Sequence, residues 1–70
     1  MREKLIAYRG ERSQKEMGAM FGVSQQAWCK WEMAIATPRP FLMKRIADDS
    51  GIPMEVLFAD SFTTEGSGAV

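Results

Sequence analysis

Four polar residues on one short stretch, Gln25, Gln26, Cys29 and Lys30, hold most of the chemical capacity worth placing in this chain. Trp28 and Trp31 stand three apart among them, so a helix over 25–33 gathers the two rings on one face. The polar four then share the remaining face. Amides, a thiol and an amine so arranged are suited to hydrogen bonding rather than to bond making. A protruding helix with such an outer face fits the major groove of duplex DNA, which admits an α-helix.

Other chemistry finds little to work with. The chain has no histidine, no carboxylate pair suited to a cleft, no phosphate-cradling glycine loop and no nucleophile next to a base, so no enzyme is expected. Asp48 and Asp49 are adjacent in a helical segment, point in different directions and lack a third ligand, which reads as a solvated helix end rather than a metal site. No cofactor and no small-molecule ligand are implied. Cys29 is the single cysteine, so no internal disulfide forms, and without a motif around it a neutral thiol is the simpler reading than a redox switch. Trp28 and Trp31 at helical spacing read as core rather than as stacking platforms for single-stranded bases.

Helices must position these groups, and their punctuation is legible. Residues 2–9 are good helix formers that stop at Gly10. Ser13 with Glu16 three residues on makes a capping box for a helix over 14–21, with Met17, Met20 and Phe21 as its apolar contacts and Gly22 as its stop. Ser24 caps the helix that carries the polar four. Residues 34–40 form a loop, and Pro40 suits the first turn of a fourth helix whose inner stripe is Met43, Ile46 and Ala47. Gly51 ends it, and a short fifth helix begins near Pro53, anchored by Met54, Leu57 and Phe58. Gly18 lies where the second and third helices must cross, where a small residue permits close approach. No period-2 alternation suggests a strand.

The segment SQKEMGAMFGVSQQAWCKWEM at 13–33, followed by TPRP, MKRIADDSGI and MEVLF, resembles the helix-turn-helix of the phage repressor and Cro-like family, of the xenobiotic-response-element type. The likeness covers roughly residues 3–58. It implies an all-α fold, a compact five-helix lambda-repressor-like DNA-binding domain over 1–60; the Ser-, Thr- and Gly-rich composition of 61–70 reads as a flexible tail. The likeness also implies base reading by Gln25, Gln26, Ala27 and Lys30. A Gln amide pairs bidentately with the N6/N7 edge of adenine, a lysine reaches guanine or phosphate, and a small residue admits a thymine methyl. Gln14, at a helix N-terminus, and Lys15 and Arg39, flanking the groove, become phosphate contacts. Two positions depart from the pattern. Ala34 stands where the family often has glycine, which allows the loop another path and a displaced Arg39. Arg12 stands where an apolar residue is frequent, which suggests a differently packed corner.

Composition bounds the reading. Seventy residues make one domain, and 46% hydrophobic content supplies a core, though such short chains bury only roughly 60% of their surface. Nine basic residues balance nine acidic ones, whereas nucleic-acid binders are usually basic. The balance is uneven: residues 1–32 are net +2, making that half the better phosphate-facing side, and residues 33–70 are net −2. No membrane span and no secretory signal are seen, so a cytoplasmic protein is expected. The expectation is a transcriptional regulator, most simply a repressor, bound to double-stranded DNA as a homodimer on a palindromic site. Phe41 and Leu42, joined by Val56 or Phe62, are candidates for the dimer contact, with extra core burial as the alternative. The competing readings are a protein-interaction module of the same fold that lacks DNA binding, and an antitoxin.

Overall fold

The computed structural model describes residues 1–62, with side chains through Ser61. Its helices begin and end where local chemistry dictates. α1 (Glu3–Arg9) closes at Gly10, whose φ is +61°. α2 (Gln14–Phe21) opens with the reciprocal capping box: Ser13 Oγ accepts from Glu16 N at 3.0 Å and Glu16 Oε1 accepts from Ser13 N at 2.8 Å. α3 (Gln25–Glu32) is capped by Ser24, whose hydroxyl accepts from Ala27 N at 3.1 Å. α4 (Pro40–Ser50) starts on its proline and stops at left-handed Gly51. α5 (Met54–Leu57) and α6 (Ala59–Phe62) are single turns. Among the described residues all regular structure is helical, and no helix is long and apolar enough to cross a membrane.

The core joins every element from α1 to α5. Leu5, Met17, Phe21, Trp28, Trp31, Met43, Ile46, Leu57 and the following Phe58 are its buried members. Phe21 stacks on Trp28 at 5.7 Å between centroids, and Trp31 tilts against Trp28 at 5.5 Å. Both tryptophans are therefore core, as their spacing suggests. α2 and α3 cross over Gly18: a Cβ there would lie 2.6 Å from the Val23 carbonyl oxygen and 2.9 Å from that of Ser24. Backbone cannot yield to such a contact, so only glycine allows this crossing.

Three expectations change, and the differently packed corner expected at Arg12 takes a definite form. Among the described residues six helices replace five, because residues 59–62 continue helically past the anticipated domain end; the remainder of the anticipated tail lies outside the described residues. Met20 is 41% exposed rather than core, since α2 buries Met17, Gly18 and Phe21 and leaves Met20 on the rim. Ala34 has φ +61°, a left-handed conformation, so the alanine occupies backbone geometry suited to glycine instead of avoiding it. Arg12 folds back on its own corner, donating to the carbonyls of Tyr8 and Arg9 at 2.7 and 3.2 Å with its guanidinium over the Tyr8 ring.

Candidate nucleic-acid interface

α3 presents two unlike faces. Trp28, Trp31 and Glu32 point inward and are buried. Gln25, Gln26 and Lys30 are exposed, Ala27 is half-buried, and Cys29 is half-buried with its Sγ 3.8 Å from Met33 Sδ. The side chains of Gln25, Gln26 and Lys30 make no hydrogen bond or ion pair with the described residues, so their donors and acceptors are available to a partner. The four residues expected to contact bases thus share one short helix, three of them exposed and Ala27 half-buried.

The expected phosphate contacts separate. Lys15, in the first turn of α2, and Arg39, immediately before α4, are exposed and without a side-chain hydrogen bond among the described residues. Arg39 borders a shallow apolar hollow with Val23, Trp31 and Phe41, which places it beside the turn between α2 and α3. Gln14 is different. Its Nε2 donates to Glu32 Oε1 at 2.9 Å, so one amide proton serves the interior. Its second proton and its carbonyl oxygen have no partner among the described residues.

Glu32 is the residue that sequence reasoning passed over. It is 2% exposed and accepts four hydrogen bonds. Arg9 supplies two, from Nε at 2.6 Å and Nη2 at 3.3 Å. Gln14 gives the third, and Trp28 Nε1 the fourth at 2.6 Å. Burial alone pushes this carboxyl upward. The bonds from Arg9, Gln14 and Trp28 outweigh it, and the group is held below its ordinary value of 4.5. α1, the start of α2 and the end of α3 are thereby tied through one side chain. A sequence signal existed, because Trp28 and Glu32 stand four apart on one helical face; the arginine and glutamine partners are remote in sequence and gave none.

The charge reading also changes. Arg2, Arg9 and Arg12, three of the six cations in residues 1–32, bond to groups within the molecule. Lys4, Lys15 and Lys30 remain exposed on that half. Asp48 and Asp49 are not merely solvated: Lys44 pairs with Asp48 at 3.3 Å, and Tyr8 donates its hydroxyl to Asp49. Burial, reinforced by Asp49, raises the Tyr8 hydroxyl to about 12. Phe41 is 70% exposed, while Leu42 packs against the core. Val56 is exposed and borders a hollow with Met1 and Ala34, whereas Phe41 borders the one beside Arg39. The side chain of Phe62 lies outside the described residues.

Compared with protein-family models, curated proteins and solved structures, the chain matches none.

Proposed function

We propose that this chain is a lambda-repressor-like helix-turn-helix protein that binds double-stranded DNA sequence-specifically and acts as a transcriptional regulator, most simply a repressor. The helix-turn-helix is α2, the turn at Gly22–Ser24, and α3. One observation carries the reading: α3 offers Gln25, Gln26 and Lys30 on an exposed face with unspent hydrogen-bonding capacity, over an inner face anchored by Trp28, Trp31 and Glu32. Amides and amines so presented match the donor and acceptor code of the major groove. Lys15, Arg39 and the free half of the Gln14 amide supply phosphate contacts. A homodimer would set two α3 helices one duplex turn apart, about 34 Å, on a palindromic operator. Exposed Phe41 is the foremost candidate for its contact.

Selection from a random duplex pool at low salt tests this. An enriched, two-fold symmetric site is the expected result; a pool without enrichment sinks the reading. Affinity for the selected site should fall with salt at a log–log slope of about −0.9 per phosphate neutralised. Replacing Gln25 and Gln26 together by alanine should remove sequence preference and leave weak, salt-sensitive binding. A second reading, a protein-interaction module of the same fold, is favoured by the pairing of Arg2 with Asp60 and of Arg9 with Glu32, which thins the basic field. It expects no duplex affinity even at low ionic strength.

A further inference from the structure

Arg2 is a cation at the chain start whose side chain is only 2% exposed, and its partners come from distant parts of the chain. Its Nε and Nη2 grip both oxygens of Asp60 on α6, at 2.8 and 2.9 Å, in the bidentate geometry peculiar to arginine. Nη1 donates to the carbonyl oxygens of Trp31 at 2.9 Å and Ala36 at 2.8 Å. Nη2 also reaches Thr37 Oγ1 at 2.9 Å and Ser61 Oγ at 3.1 Å. The guanidinium rests over the Phe58 ring, 5.1 Å from its centroid. One side chain therefore touches the last turn of α3, two residues of the following loop, and α6.

We propose that Arg2 and Asp60 form a positioning pair through which α6 fixes the loop between α3 and α4, and with it Arg39. The loop has few other ties. Ile35 N and Ala36 N share the Lys30 carbonyl oxygen at 3.0 and 3.3 Å, and Thr37 Oγ1 lies 3.2 Å from Ser61 Oγ. Buried Pro38 and then Arg39 follow directly. The two members of the pair differ in access: the Asp60 side chain is 47% exposed. A buried guanidinium cannot stay in place without its counter-charge. Loss of the Asp60 charge drives Arg2 toward water; the Ala36 carbonyl loses its Arg2 donor, and the Trp31 carbonyl keeps the longer bond from Ala34 N at 3.3 Å. An event at α6 is thus felt at the loop that presents Arg39. The consequence for DNA rests on the function proposed above; the coupling of α6 to the loop does not.

Amide hydrogen exchange on the full chain tests the coupling. Asp60→Asn should speed exchange at Ile35 and Ala36 about tenfold, the scale of one lost charge-assisted hydrogen bond, and leave Met17 and Phe21 on α2 unchanged. Asp60→Glu, which restores the charge, should return the native rates. Equal acceleration on α2 and the loop, or a response confined to residues 58–61, overturns the proposal. Should Asp60→Asn fail to fold, Ser61→Ala keeps the ion pair and is read at the same amides: a smaller acceleration there upholds the coupling, and none overturns it. For the DNA consequence, Asp60→Asn should reduce the salt slope by about one, the share of a single phosphate contact, with rescue by Asp60→Glu. An unchanged slope beside a faster loop breaks the link to Arg39. Native chain that binds no duplex sinks the DNA function, while the exchange result still decides the coupling.

Discussion

The inner and outer faces of α3 use polar groups in opposite ways. Inside, Glu32 accepts four hydrogen bonds and the Trp28 indole N–H is satisfied by it. Outside, Gln25, Gln26 and Lys30 are exposed with nothing of the described chain attached. A buried polar group must find its partners within the fold, because water is not there to supply them. An exposed one can wait for a partner. One eight-residue helix therefore divides into a half that holds the structure and a half held ready, and substitutions should separate along the same line.

The largest effect belongs to the inner face. Glu32→Gln leaves Arg9 without its counter-charge and should cost about 3 kcal/mol, as breaking a buried pair does. Chemical denaturation measures it, and a loss below about 1 kcal/mol would show that the node is dispensable. Its pH dependence has a definite sign. The folded carboxyl titrates below the unfolded one, so its stabilisation is complete above the ordinary value of 4.5 and drains away as pH falls through the lower, folded value. Stability of Glu32→Gln should fall less steeply than that of the native chain across that acid range.

Next comes the crossing beneath the helix. Gly18→Ala drives a methyl group into the carbonyls of Val23 and Ser24 and should cost about 2 kcal/mol through overpacking. A neutral outcome in thermal unfolding would mean that α2 and α3 separate more easily than their packing indicates. The outer face sets the contrast. Gln25→Ala with Gln26→Ala should alter stability by less than about 0.5 kcal/mol. A larger loss would erase the distinction between the faces.

The smallest effect has the opposite sign. Ala34 holds a left-handed φ of +61° just past α3. Ala34→Gly should stabilise by about 0.5 kcal/mol, because relief of backbone strain exceeds the added freedom of the unfolded chain. A drop in the unfolding midpoint would show that the alanine methyl makes compensating contacts.

Sequence punctuation carried a long way here because helix ends are local. Ser13 and Glu16 cap α2, Ser24 caps α3, Pro40 opens α4 and Gly51 closes it, each within a few residues of its partners. Trp28 and Trp31 announced their burial by spacing, and Gly18 by its place between two helices. Met20 failed because periodicity alone does not say how wide the buried stripe of α2 is; α4 leaves it on the rim beside Arg45 and Asp49. α6 was missed because a single turn has too little periodicity to announce itself, and its tie to Arg2 spans 58 residues.

The amino-acid sequence by itself determined α1 to α5, the inward tryptophans and the outward Gln25, Gln26 and Lys30, since all of these follow from neighbours within one or two turns. It also set the number of charges. Only the tertiary structure decided which charges are available to a partner. Arg2, Arg9 and Arg12 look like surface cations in the sequence, yet two of them close on Asp60 and Glu32 and the third on backbone carbonyls. Arg12 finds its carbonyls three and four residues back, but the acceptors of Arg2 and Arg9 are brought to them by the fold, from α6 and from the end of α3.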